Sequence, residues 1–581
     1  MRTNTRVEFG LFDVTARGDS TPSCQSVQLF CDLAADLLLE ERPSQTKYGT
    51  LEARQFLMDG SFELFPEEPE GQFWGLWSKQ QSGEDGKFSV PPVLEISFSQ
   101  DHSSSGVTLH FYQLTGDWAT DVLVQWYGAA GELLATARCA PNAVDYYCPC
   151  KATGYRSMRL TFYATNRPGR YLKLTGLDYG VALTFAGDQV REAHVLEEVD
   201  LLSSEVRINT LDLTLFNKDG TFSILNPAGV FDVLQHKQQF TVWEEVRDAA
   251  QEEKVSHNMG TFYLSEWENT SDTLASFSAV DAVGLLDSAP HRGGVYDTTA
   301  AALAADILEG YDYQLDPSLA QQPVRGWLPV GTRRSALQQL AFVLGAVVDC
   351  SRSDKIKIYP QPTRPSSLIT YQRKFLGSKV TLKPLITGVV VTAHQYTLGT
   401  TTEELFKDEL VTGTHEIQFD SPVCCLEVTG ATLQEWDNNY AILQVDNPGE
   451  VVITGRKYLE TKSSVRQAAR DIPANAKANE LTVDSATLVD PAAAPAVAAR
   501  VLDYYAARYE QTFDMLAGDE VLADMLVVQS FGGEMVRGAL ESMEFDLTGG
   551  YRASVKVVGQ RISTTAAAYT GEIFAGERSV I

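Results

Sequence analysis

The sequence predicts a mainly β protein with α+β elements: two similar β-barrel domains, a helical segment between them, and an antiparallel β-sandwich ahead of the first barrel. Three observations lead there. Apolar and polar residues alternate with period 2 in short runs over most of the 581 residues. The period lengthens to helical spacing only around 291–350 and again after Asp490. Two distant β segments align with each other without a gap.

The sandwich spans 45–185. VTLHF at 107–111, VLVQW at 122–126 and MRLTF at 158–162 alternate, and Leu172-Lys173-Leu174 adds another short run. Such runs, punctuated by Gly and Pro, bury one face of each sheet. Aromatic residues crowd the expected loops, among them Trp74, Trp77, Trp118 and Tyr146. Rings at loop tips stack on sugars, so these four are the candidate glycan-contacting residues. Packing inside the sandwich is the alternative for each.

Residues 186–290 form the first barrel. Leu211, Leu213 and Leu215 alternate, and Asn217-Lys218-Asp219-Gly220 supplies a turn between that strand and Phe222. Residues 291–365 are an α/β connecting segment. Its stretch 298–311 is Ala-rich and helical, and in 333–348 Leu337, Leu340, Ala341, Leu344 and Val348 fall on one stripe. The Arg333-Arg334 pair there reads as a solvated helix end, with an anion site as the alternative. Residues 366–565 are the second barrel, with β patterning at 385–392, 423–430 and 451–458. A long helix over 491–511 opens at Asp490-Pro491, an N-cap followed by Pro at the first helical position. The last strand places Ala553, Val555 and Val557 on one face and Ser554 and Lys556 on the other. The tail, 566–581, is polar.

Composition narrows the function. With 47 Lys and Arg against 76 Asp and Glu, the formal net charge is −29. That excludes a general binder of nucleic acid, whose affinity comes from clustered cations releasing counterions. At 44% hydrophobic and 10% aromatic, the chain can bury real cores. No run of about 18 apolar residues occurs, so no membrane-spanning helix is expected. The charged start, MRTNTRVEFG, has no apolar segment behind it, unlike a Sec signal peptide. Cys148-Pro149-Cys150 and Cys424-Cys425 lack the spacing of a zinc site. Reduced, mostly buried thiols are expected, with a disulfide among Cys139, Cys148 and Cys150 as the alternative.

No phosphate-binding loop, nucleophile elbow, H-E-x-x-H helix or EF-hand loop occurs, and no two of the eight histidines stand at i,i+4. The adjacent carboxylates Glu67-Glu68, Glu197-Glu198 and Glu403-Glu404 would point to opposite faces of a strand and so cannot flank one substrate bond. No catalytic, cofactor-binding or metal-ligating residue is named. No cofactor is expected, and the chain reads as a non-enzyme.

The gapless alignment lays GTFYLSEWENTSDTLASFSAVD, from Gly260 to Asp281, over GALESMEFDLTGGYRASVKVVG, from Gly538 to Gly559. Glu266 matches Glu544, Trp267 lies over Phe545, and Phe277 lies over Val555. Both segments read as strand, turn, strand. A duplicated barrel explains the match, and chance likeness of two amphipathic hairpins is the alternative.

Two family resemblances follow. PPVLEISFS, SSSGVTLHFY, VLVQWY, YRSMRLTFYAT and PGRYLKLTGLDY resemble the discoidin, or galactose-binding-like, sandwich, which implies glycan binding through loops at one end. The duplicated hairpins, the helix-and-strand TRRSALQQLAFVLGAVVDCSRSDKIKIYP, the block VRINTLDLTLFNKDGTFSILNP and the closing FGGEMVRGALESMEFDLTGGYRASVKVVG resemble the baseplate hub, or tail-tip, proteins of tailed bacteriophages and contractile injection machines. The second resemblance implies two hub barrels per chain, a sandwich inserted into the first, and N-terminal strands from 1–44 in that barrel. It further implies a homotrimer within the virion, assembled in a bacterial cytoplasm. Such a hub joins the sixfold tail tube and distal tail ring to threefold spike or fibre proteins, contacts the tape-measure protein, and lines a channel for ejected DNA. No lysozyme or peptidase domain is expected after the second barrel, so any cell-wall digestion would lie in another protein. A carbohydrate-binding adhesin acting through the sandwich is the alternative.

Overall fold

A computed structural model describes residues 2–25, 27, 48–50, 52–57, 59, 60, 63, 64, 75–247, 254–375, 378–470 and 472–562. Trp74, Glu67-Glu68 and the 566–581 tail lie outside the described residues.

Thirteen strands form one large sheet. In chain order they are β1 (Arg2–Phe12), β2 (Gly180–Ala186), β3 (Val190–Glu198), β4 (Thr210–Phe216), β5 (Gln239–Arg247), β6 (Lys254–Ser271) and β7 (Leu274–Val280). Then come β8 (Pro365–Ile369), β9 (Lys379–Leu382), β10 (Tyr509–Leu516), β11 (Met525–Gln529), β12 (Met535–Asp546) and β13 (Arg552–Ile562). The spatial order is β2-β1-β5-β6-β7-β4-β3-β12-β13-β10-β9, with β11 also on β12 and β8 on β11. Period-2 patterning decides which side chains face inward. Leu211, Leu213 and Leu215 of β4 and Ala553, Val555 and Val557 of β13 are all buried in one shared core.

β1 lies between β2 and β5, antiparallel to both. The chain therefore leaves this sheet after Phe12, builds the sandwich, and returns at Gly180. Lys218 and Asp219 do form a turn, closed by Gly220 N–H on the Asn217 carbonyl at 3.1 Å. Phe222 belongs to a run of turns rather than a strand, and it is buried by Phe9 and Phe277.

The sandwich strands make a seven-stranded sheet whose two longest members, Val93–Phe111 and Asp145–Thr165, pair with each other. Register shifts between Ser97 and Gly106 break this ladder into two parts. Its outer part pairs on with Ala119–Tyr127, and its other part with Tyr171–Asp178. Bulges bend long strands, so one hydrogen-bonded sheet supplies both layers over a single core. Leu94, Val124 and Met158 meet Leu109, Leu174 and Leu177 there.

In the connecting segment, the helix Ala300–Ile307 is capped by Thr299, whose hydroxyl accepts from Ala302 N–H. The helix Arg333–Leu344 is capped by Thr332 and Ser335 in a reciprocal box. It ends at Gly345, whose φ of 67° fits the left-handed turn that only glycine adopts without strain. Val348, expected on the helical stripe, therefore lies in the strand Ala346–Asp349.

The interval 366–565 holds more than barrel strands. Residues 388–483 form sheets of their own, including Gly388–Leu398 paired with Gly449–Ala468. The long helix runs over Ala494–Ala506 with Ala493 as its N-cap. Asp490 instead accepts from Ala493 N–H at 2.8 Å and closes the turn before the helix. Pro495 is the proline in the first turn of the helix. Among the described residues, no helix is long and apolar enough to cross a membrane.

Candidate functional site

The most distinctive feature is a repeat within the large sheet. The neighbours β5-β6-β7-β4-β3 recur as β11-β12-β13-β10-β9, all antiparallel and in the same chain order. The detail repeats too. Lys237 N–H donates to the Leu264 carbonyl at 2.9 Å, and Leu264 N–H to the Gln238 carbonyl at 2.8 Å. In the second unit Ala523 N–H donates to Leu540 at 2.8 Å, and Leu540 N–H to Asp524 at 2.9 Å. Lys237 and Ala523 both hold positive φ, 71° and 62°, which is strained for residues with a Cβ.

The hairpins match with one correction to the gapless alignment. Phe277 pairs with Trp267, whereas Val555 pairs with Met543, so Met543 and not Phe545 stands where Trp267 stands. Seven residues separate the paired Glu268 and Ser276, and nine separate Glu544 and Ser554. The second connection, which contains Gly549 and Gly550, is two residues longer. An even shift keeps every side chain on its face, so the apolar phase survives it.

The two units meet where β3 pairs with β12, from His194 opposite Asp546 to Glu198 opposite Ser542. Glu197 is 1% exposed at this seam. Its carboxylate accepts from Arg352 Nε at 3.0 Å and Nη2 at 3.1 Å. Burial pushes the Glu197 carboxyl up, and the Arg352 guanidinium opposes that shift. Glu198, its sequence neighbour, points to the other face, as strand geometry requires. Of the remaining adjacent pairs, Glu403-Glu404 opens the exposed strand Glu403–Leu410.

The candidate aromatics are placed one by one. Trp77 is 1% exposed, and its ring lies 5.1 Å from the Lys173 ammonium and edge-on to Tyr112. Lys173 is itself buried, donating to Glu52 at 2.6 Å and Asp117 at 3.2 Å. That charge cluster accounts for the position of Trp77: a π face partly replaces the water lost by a buried ammonium. Trp118 is half-buried, its backbone exchanging hydrogen bonds with Asn166. Tyr146 lies at the start of Asp145–Thr165, half-buried against the core. Its hydroxyl is pushed up by burial and then by the neighbouring Cys148 and Cys139 thiols. The three sandwich thiols, Cys139, Cys148 and Cys150, are free and buried.

A cleft of about 570 Å³ between the connecting segment and residues 437–440 is lined by His291, Tyr296, Asp306 and Arg333, with Asp437, Asn438 and Tyr440 opposite. Asp306 accepts from Tyr296 at 2.9 Å and contacts His291 at 3.3 Å. Arg333 caps the helix before it by donating to the Ile307 and Glu309 carbonyls, at 2.7 and 3.1 Å. Arg334 donates to the Val206 carbonyl and to Asp287 and Glu205. The arginine pair thus serves carbonyls and carboxylates of its own chain. Among the described residues, no group of three or more His, Cys, Asp or Glu is arranged to hold a metal.

No family model matches the chain, and no curated protein matches it. Solved structures of tail proteins are similar to it. The 43 kDa tail protein of prophage MuSo2 from Shewanella oneidensis is 10% identical over 65% of this chain and 96% of its own, with a TM-score of 0.39. The tail protein from Neisseria meningitidis MC58 is 9% identical over 64% and 93%, with a TM-score of 0.39. The prophage tail protein gp18 from Listeria monocytogenes EGD-e is 8% identical over 66% and 92%, with a TM-score of 0.38.

Proposed function

We propose that the chain is a structural subunit of a phage-type tail tip, a homotrimeric hub between a sixfold tail tube and threefold spike or fibre proteins. The observation that carries the reading is the five-strand unit repeated in one sheet. Two similar units per chain let three chains present six similar surfaces, which removes a mismatch between sixfold and threefold neighbours. The residues that resemble hub proteins supply five of those ten strands, β4, β6, β7, β12 and β13. The net charge of −29 suits a channel wall from which DNA slides away, since like charge repels.

Negative-stain electron microscopy of the purified chain at high concentration tests this. Threefold rings with a central hole and three peripheral lobes are the expected result. Particles without threefold symmetry, or a ring with no passage, would overturn it.

A further inference from the structure

The repeat makes a specific prediction about what lies at the ends of the sheet. The first unit's outer strand, β3, is covered by β12 of the second unit. Its counterpart in the second unit is β9. Matching their pairing to β4 and β10 sets His194, Val195, Leu196 and Glu197 over Lys379, Val380, Thr381 and Leu382. Among the described residues β9 has β10 on one edge and no strand on the other. Val380 and Leu382 are each 55% exposed there, whereas Val195 is fully buried.

The receiving edge is also duplicated. In β12, Met535–Ala539 pair with β11 and Ser542–Asp546 take β3 on the same side. The equivalent stretch of β6 runs from Glu266 to Thr270. It continues past the β5 pairing, which stops at Tyr263, and no described strand covers it. Each unit thus has a donor strand and an acceptor edge. One donor and one acceptor are joined within the chain, and one of each is left over.

We infer that β9 of one copy pairs antiparallel with Glu266–Thr270 of β6 in a second copy, repeating between chains the seam that β3 and β12 make within one. The inference rests on the ring-subunit reading above and names its contact. Transferring the internal register places Lys379 opposite Thr270, Val380 opposite Asn269, Thr381 opposite Glu268, Leu382 opposite Trp267, and Lys383 opposite Glu266.

Three features fit that register. Two lysines of β9 and its extension share a face with two glutamates, Glu266 and Glu268, in a chain that is otherwise strongly acidic. The exposed Leu382 meets Trp267, whose ring is half-buried against the core and 5.2 Å from His236. The hydrogen-bond phase is also right. Lys383 N–H bonds inward to the Arg508 carbonyl, so alternation turns the amides of Val380 and Leu382 outward. The pairing stops at Pro384, which has no N–H where Val199 donates to Glu541 in the internal seam.

In the internal seam Val199 and Leu547 donate across the junction, which makes Leu196 and Glu544 a non-hydrogen-bonded pair. Such pairs bring Cα atoms to about 4.5 Å, within disulfide range. In a chain whose accessible Cys424 and Cys425 are changed to Ser, Thr381→Cys with Glu268→Cys, mildly oxidised, is therefore expected to give covalent oligomers that end at a closed ring, while either single variant gives none. The intended bond is identified by mass spectrometry. Independently, Lys379→Glu and Glu268→Lys are each expected to weaken self-association about fivefold, and the double reversal to restore it, by sedimentation velocity. Rings that assemble without the 268–381 bond and ignore the charge reversals would overturn this contact and leave the ring reading standing. A chain that stays monomeric at every concentration, with no bond formed, overturns both.

Discussion

The two units of the large sheet share one strand order, yet their outer strands have opposite fates. In the first, β3 is sealed by β12, and Glu197 is buried against Arg352. In the second, β9 leaves Val380 and Leu382 exposed at the end of the sheet. The difference shows that exposure here reflects what has been brought alongside, not a different local design. A bare apolar edge strand invites pairing, and proteins normally blunt or cover it. The buried carboxylate on β3 and the leucine at the same place on β9 show how far side chains can diverge while backbone topology is kept.

The largest expected effect comes from breaking the internal seam. Arg352→Met leaves Glu197 buried without its cation and is expected to cost about 3–5 kcal/mol of unfolding free energy. The loss should be greater at pH 8 than at pH 5, where Glu197 can take up a proton. Adding Glu197→Gln should recover part of it. Chemical denaturation at both pH values checks this, and an equal loss at both would break the account of the seam.

A second contrast concerns Asp281, which caps the helix Ala282–Asp287 and has Gly559 at its place in the other unit. Burial pushes its carboxyl from 3.8 to about 7. Between those values the folded protein holds a proton that the unfolded chain has lost. Stability contributed by this group is thus fully present at low pH and is lost as pH rises toward 7, at about 1.4 kcal/mol per pH unit. Asp281→Asn is expected to remove that slope from a series of melts. A slope of the same size in the variant would assign it to other groups.

The smallest effect sharpens the likeness instead. Lys237→Gly and Ala523→Gly should each stabilise by about 0.5–1 kcal/mol, because glycine relieves the positive φ at both sites. Near-equal gains would show that the repeat is energetic as well as geometric. Opposite signs would confine it to shape.

Much of the fold was legible in the sequence. Alternation along Leu211-Leu213-Leu215 and Ala553-Val555-Val557 marked strands and their buried faces, because side-chain direction in a strand has period 2 whatever its partner. The helix over Arg333–Leu344 was legible from its stripe, but its end was not. Val348 continues the spacing while Gly345 has already turned the chain, and the local stop outranks the distant periodicity. Aromatic residues were visible, but their surroundings were not. Trp77 read as a loop ring, and it is a lid on the buried Lys173, whose partners Glu52 and Asp117 come from distant parts of the chain.

By itself the sequence determined which segments alternate and that two hairpins are alike, since these depend on neighbours within a few residues. Only the tertiary structure decided the two-residue register difference between the hairpins and the order of five strands that the units share. It also decided which edges are covered and which, among the described residues, are open. Backbone amides are the same at every position, so pairing between distant strands is chosen by the packing of the whole sheet and leaves no mark in any one segment.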